Sequence, residues 1–122
     1  MEKKNEEYSL LYDFYGVLLS ERQREVFRLY YEENLSLSEI ADDLGVSRQA
    51  VHISLRKAGG MLDDYEEKLG LIAKNEELEK IKNEAGSRID SILKDKTRLE
   101  AADPEALKNL RRIKKLVKGI EL

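Results

Sequence analysis

The residues best equipped for chemistry lie between positions 48 and 57: Arg48, Gln49, His52, Ile53, Arg56 and Lys57. On a helix turning about 100° per residue, Gln49, Ile53, Arg56 and Lys57 share one side, with His52 on its flank and Arg48 at the helix start. Those residue types match the edges of a nucleic acid. A glutamine pairs with an adenine edge, an arginine with guanine, and an isoleucine touches a thymine methyl. Arg48 would reach a phosphate. An exposed Ile53 fits a protein contact at least as well, so duplex DNA and an RNA or protein partner both stand open. Catalytic chemistry finds no support. His52 is the single histidine and there is no cysteine, so neither a zinc site nor a nucleophile–base pair is written into the chain. The pairs Glu32/Glu33, Asp42/Asp43 and Asp63/Asp64 read as solvated helix faces. Gly59-Gly60 lacks the lysine and hydroxyl of a phosphate loop. No catalytic residue, metal or cofactor is expected.

These side chains can face outward only if the helix carrying them is locked from beneath. Val51, Leu55, Ala58, Leu62 and Tyr65 recur at four- and three-residue steps and supply the buried stripe. Ahead of it, Ser36 and Glu39 form a capping box that opens a short helix with Leu37, Ile40, Ala41 and Leu44 inward. Gly45 ends that helix, and Ser47 caps the next after a single intervening residue, Val46. A small residue (Ala41), a glycine turn and an apolar lock at this spacing predict a helix-turn-helix. Two further helices precede it. One runs from Asn5 to about Leu19, with Tyr8, Leu11, Tyr12, Tyr15, Leu18 and Leu19 on one face. The next opens at the Ser20/Gln23 capping box, reaches about Glu33, and buries Val26, Leu29 and Tyr30.

Gly70 marks a break between a domain at 5–69 and a helical extension at 71–122. A long helix is expected from Leu71 to about Leu99, with Leu71, Leu78, Ile81, Ala85, Ile89, Ile92 and Leu99 along one side. Leu71, Leu78, Ala85, Ile92 and Leu99 fall seven apart, which predicts either packing on the front domain or pairing in a homodimer. Gly86 weakens this helix by about 1 kcal/mol relative to alanine. Asp103-Pro104 starts a last helix that ends at Gly119. It sets Leu107, Leu110, Ile113, Val117 and Ile120 against Lys108, Arg111, Arg112, Lys115 and Lys118. Lys114 falls within the apolar arc and must run its stem along it, head outward. The basic side is a solvated face or an RNA contact.

The stretch Leu19-Ser20-Glu21-Arg22-Gln23-Arg24-Glu25-Val26, followed by Leu37-Ser38-Glu39-Ile40-Ala41, Leu44-Gly45-Val46-Ser47, Val51, Leu55 and Ala58, resembles region 4 of bacterial sigma factors. The tyrosine-rich opening and the run Met61-Leu62-Asp63-Asp64-Tyr65-Glu66-Glu67-Lys68-Leu69 resemble the YlxM family over about residues 5–100. That resemblance implies an all-α, sigma-region-4-like helix-turn-helix domain with a C-terminal helical extension. It also implies a non-enzymatic regulatory or accessory protein linked to the signal recognition particle pathway. Sigma-type recognition helices usually carry several basic residues on the outer face. Here the matching positions are Ile53, Gly59, Gly60 and Met61, with Asp63, Asp64, Glu66 and Glu67 following. Carboxylates there would repel a phosphate backbone.

The bulk composition bounds these readings. The 122 residues are 41% hydrophobic and 39% charged, with one proline, which suits a nearly all-helical chain. The net charge of −3 is uneven: residues 1–70 hold 9 Lys/Arg against 15 Asp/Glu, and residues 71–122 hold 13 against 10. An acidic front half weakens the electrostatic pull toward phosphates. No apolar run is long enough to insert in a membrane, and the opening MEKKNEEYS has no signal-peptide core. A cytoplasmic location is expected.

Overall fold

The computed structural model describes residues 5–122, and the hydrophilic positions 1–4 considered above for targeting lie outside it. The described residues form seven α-helices and no strand. They are α1 (Asn5–Tyr15), α2 (Glu21–Tyr31), α3 (Leu37–Leu44), α4 (Arg48–Leu69), α5 (Leu71–Leu93), α6 (Lys96–Ala102) and α7 (Pro104–Lys118), with a single 3-10 turn at Gly16–Leu18 after α1. The chain divides into two compact units, one ending at Ile72 and one spanning Ala73–Leu122.

In the first unit α1, α2 and α3 all pack against α4. The helix starts are fixed by side-chain oxygens that satisfy backbone N–H groups left without partners in the first turn. Ser20 and Gln23 cap each other's backbone N–H groups, and Ser36 and Glu39 do the same. Ser47 Oγ accepts from Ala50 N–H at 3.0 Å. The core is Leu11, Tyr15, Leu19, Val26, Phe27, Ile40, Val51, Leu55, Ala58 and Leu62 with their neighbours. Phe27 forms its aromatic centre. Its ring stacks on Tyr12 at 5.6 Å, meets Tyr8 edge-on at 5.7 Å, and lies 4.5 Å from Tyr31. Offset and edge-on contacts of this kind add to the area each ring buries. Burial, reinforced by the nearby Tyr8, Tyr30 and Asp63, pushes the Tyr31 phenol far above its ordinary pKa.

Two periodicity expectations fail in this unit. The first helix stops at Tyr15 instead of Leu19, and Leu18 points into solvent while Leu19 turns inward. A Cβ at Gly16 would sit 3.0 Å from the Tyr12 ring. The glycine allows the backbone to close on that ring, and the tighter turn rotates Leu18 off the buried side. Tyr30, expected in the core, is only half-buried; Phe27 and Tyr31 take the inner positions of α2.

The end of α4 is tied by a polar knot. The Tyr15 hydroxyl donates to Glu66 Oε1 at 2.5 Å and accepts from the Leu71 N–H at 3.1 Å, while Glu66 Oε1 also accepts from the Ile72 N–H at 3.0 Å. Gly70 makes the sharp turn between them in the left-handed conformation, with φ +62°. A tyrosine from α1 and a glutamate from α4 thus cap the start of α5. Burial, then the bond to Glu66, holds the Tyr15 phenol above its usual pKa.

In the second unit the long helix ends at Leu93, not near Leu99. A turn at Lys94-Asp95 separates it from α6. The C-terminal half of α5 runs antiparallel to α7: Lys82 Nζ donates to the Ile120 carbonyl at 2.6 Å, and Asp90 pairs with both Lys114 (3.0 Å) and Lys118 (2.6 Å). Hydrogen bonds from the two lysines, Lys118 the stronger, hold the Asp90 carboxyl below the ordinary carboxylate range. The Lys118 stem passes over Gly86, where a Cβ would meet its Cε at 3.4 Å. The buried residues of α5 are Gly86 and Ile89. The seven-residue repeat therefore does not mark the packed side: Leu71, Leu78 and Ile92 are exposed, as is Ile81.

The Tyr15 knot sets the first expectation. Tyr15→Phe keeps the ring but removes the hydroxyl that bridges Glu66 and Leu71. The unfolding free energy should fall by about 1–3 kcal/mol. Hydrogen exchange should quicken at the Leu71 and Ile72 amides, with little change at Val26. An unchanged exchange rate at Leu71 would show that the knot does not hold the start of α5.

Candidate nucleic-acid interface

The turn that aims α4 is built by Gly45. It sits at φ +67° and ψ +35°, and both its N–H and that of Val46 bond back to the Ala41 carbonyl. A left-handed backbone is strained for residues other than glycine, so this position fixes the direction in which the chain leaves α3. Ala41 is buried at the crossing, and Ile40 above it is completely inaccessible. From Ser47 onward, Val51, Leu55, Ala58 and Leu62 face the core.

With that side buried, the opposite side of α4 is solvent-exposed. Arg48, Gln49, His52, Ile53, Arg56 and Lys57 are all exposed. Ile53 is 57% accessible and sits among these polar side chains as an apolar point. Gln49, Ile53, Arg56 and Lys57 form the ridge, and none of Arg48, Arg56 or Lys57 is held in an ion pair among the described residues. Gly60 continues this ridge, and a Cβ added there would meet nothing within 4 Å. Arg48 and His52 also border a cleft of about 480 Å³, together with Asn5, Tyr30, Tyr31, Leu37 and Leu55. The cleft was not anticipated in the sequence. Its signal was Tyr30, which the helical period of α2 assigned to the core although it stands at the rim.

The acidic run after the ridge divides in two. Asp64 and Glu67 are exposed and follow Gly60 on the outer side. Glu66 instead turns inward to Tyr15 and Ile72, and Asp63 is half-buried and close enough to Tyr31 to raise its pKa. The expected repulsion from four carboxylates therefore falls to two. Among the described residues, no group of three or more histidines, aspartates or glutamates is placed to hold a metal ion, and no helix is long and apolar enough to cross a membrane.

Comparison with known proteins agrees with this geometry. Residues 1–102 match the sequence profile of the family described as "Putative helix-turn-helix protein, YlxM / p13 like", UPF0122. The chain belongs to the YlxM/p13-like family. It is 39% identical over 116 residues to a UPF0122 protein of Thermoanaerobacter sp. strain X514, covering 93% of each chain. A UPF0122 protein of Symbiobacterium thermophilum is 48% identical over 82 residues, 67% of this chain and 77% of the relative. One from Geobacillus kaustophilus is 49% identical over 76 residues, 62% and 69% of the two chains. The YlxM/p13-like match includes α1 to α6, whose last residue is Ala102.

Because the ridge has no packing role, its residues should be separable from stability. Alanine at Gln49, Ile53, Arg56 and Lys57, singly or together, should leave the unfolding free energy within about 0.5 kcal/mol per site. Leu55→Ala, one turn away on the inner side, should cost about 2–5 kcal/mol. Denaturant unfolding followed by circular dichroism distinguishes the two sides. A costly Ile53→Ala would mean that this isoleucine holds the fold and is not displayed for a partner.

Proposed function

We propose that this protein is a non-enzymatic regulatory or accessory protein that binds duplex DNA through the N-terminal half of α4. The observation that carries the proposal is the solvent-facing set Arg48, Gln49, His52, Ile53, Arg56 and Lys57 on the second helix of a helix-turn-helix. From Arg48 to Lys57 the helix rises about 14 Å, close to the roughly 12 Å width of the major groove. Three cations lie within that length, and Arg48 stands at the helix start, where the macrodipole is positive. Beyond it, Asp64 and Glu67 reverse the sign. The helix would therefore enter the groove with its first three turns and leave the rest outside. Gln49 and Arg56 would read base edges, Ile53 would touch a thymine methyl, and Arg48 and Lys57 would hold phosphates.

A second reading rests on the exposure of Ile53 and on the two carboxylates behind it. An apolar knob beside acids suits a protein component of the signal recognition particle pathway, the setting that resemblance to the YlxM family implies; an RNA component of that pathway is the other occupant this reading allows. The two readings respond differently to added charge. Gly60 is sterically open and Asp64 is exposed, so Gly60→Lys with Asp64→Lys extends the cationic ridge without disturbing the core. Asp63 is left alone because it faces inward.

If the ridge meets duplex phosphates, the lysine variant should bind duplex DNA more tightly in anisotropy titrations. Each new phosphate contact should add about 0.9 to the magnitude of the log–log salt slope. Arg56→Ala in that background should then cost about 1–3 kcal/mol, varying with the DNA sequence. Should the lysine variant bind duplex no better than wild type at low salt, the duplex proposal fails. Saturable binding to a structured RNA under the same conditions would then favour the second reading.

A further inference from the structure

The second unit, Ala73–Leu122, has a sidedness that its own packing does not use. Its buried large side chains are Ile89 of α5 and Leu107 of α7. Two such residues are a small core for fifty residues of helix, given the conformational entropy that ordering them costs. Six others, Leu78, Ile81, Ile92, Ile113, Leu116 and Ile120, stand between 44% and 55% exposed.

Their placement follows from helical geometry. On α5 the inward stripe is Lys82, Gly86, Ile89 and Leu93; Ile81 and Ile92 lie about 100° to one side of it, and Leu78 about 50° to the same side. On α7 the inward stripe is Leu107, Leu110, Lys114 and Val117, and Ile113 and Leu116 lie about 100° away in the same rotational sense, while Ile120 follows beyond the helix end. Equal displacement in the same sense would put the two sets on opposite sides of a parallel pair. On an antiparallel pair, which Lys82–Ile120 and Asp90–Lys114 define here, it puts them on the same side. The hairpin therefore carries one continuous apolar face made by both helices.

We infer that this face is covered by a second copy of the chain, giving a two-fold four-helix bundle from two α5–α7 hairpins. Charge selects both the occupant and its orientation. α7 holds Lys108, Arg111, Arg112, Lys114, Lys115 and Lys118 against Glu105, whereas α5 holds Glu76, Glu77, Glu79, Glu84 and Asp90 against Lys74, Lys80, Lys82 and Arg88. Stacking α7 on α7 would oppose two strongly basic helices. A two-fold axis parallel to the helices instead lays each α7 across the slightly acidic α5 of the other copy. That axis preserves level along the hairpin. Asp90 is level with Lys114 and Lys118, so Ile92 of one copy faces Ile113 of the other. The seven-residue repeat along α5 thus marks one half of a hairpin face and not the seam of a two-stranded coiled coil. The inference is independent of what α4 binds.

Sedimentation of the full chain at tens of micromolar should show a dimer. Ile81→Glu and Leu116→Glu, on different helices and both at exposed positions, should each weaken it at least about a hundredfold, as loss of a central apolar anchor does, with helical circular dichroism retained. Val17→Glu, on the turn after α1, should leave it intact. The chain has no cysteine, so Ile92→Cys and Ile113→Cys give clean single thiols. Oxidising a mixture of the two should yield the mixed disulfide-linked pair in preference to either variant alone. A monomer throughout, or a dimer indifferent to both glutamates, would overturn the inference. Self-linking of each cysteine variant as efficient as the mixture would overturn the orientation.

Discussion

The inner stripe of α4 is the constraint on which the first unit depends. Val51, Leu55, Ala58 and Leu62 are each no more than 3% exposed, and three helices rest on the segment that carries them. Burying these side chains contributes about 1.5–3 kcal/mol for each of the larger ones, and Ala58 adds little area but leaves room for the helices to approach. Once that side is committed, the period of the helix leaves Gln49, Ile53, Arg56 and Lys57 no choice of direction. Display of the ridge is thus a consequence of packing.

The stripe alone would not fix where α4 begins and ends. Gly45 and the Ser47 hydroxyl define its start, while Gly70, Glu66 and Tyr15 define its end. The two ends use different chemistry for the same physical problem, since helix termini leave backbone donors and acceptors without partners. At the start a neutral serine suffices in solvent. Where α4 ends, the chain turns directly into α5, and the donors to be satisfied are the first N–H groups of that next helix, Leu71 and Ile72, in a half-buried setting where an unsatisfied group is costly. A carboxylate and a phenol brought from separate helices meet that need. Drawing Glu66 inward also removes one negative charge from the side of α4 that follows the ridge.

How much of this was legible in the sequence depends on the range of the interaction involved. Ser20/Gln23, Ser36/Glu39, Gly45 and Ser47 act over three or four residues, and each was readable because its rule is local. Val51, Leu55, Ala58 and Leu62 were readable because helical period and burial coincide. Leu18 was misplaced because the period presumes an unbroken helix, and the contact of Gly16 with the Tyr12 ring breaks it. Phe27 was passed over because its importance comes from rings on α1 and the end of α2, which a period within α2 does not register. The acidic run was read as four equivalent charges, since nothing near Glu66 in sequence announces Tyr15, fifty-one residues away. The repeat along α5 was genuine as a pattern. Whether such a stripe faces its own hairpin or a further surface is decided by α7, and so lies beyond the reach of any window on α5.

The first three turns of α4 are the surface we propose this YlxM/p13-like protein uses on a nucleic acid. Amide chemical-shift mapping with a duplex at low salt tests it most directly, because it reports every position at once. The account predicts that the largest shifts cluster at Arg48–Lys57 and fade beyond Gly60, with α1 and α7 little changed. Shifts concentrated instead on the basic side of α7, or spread evenly without saturation, would contradict it.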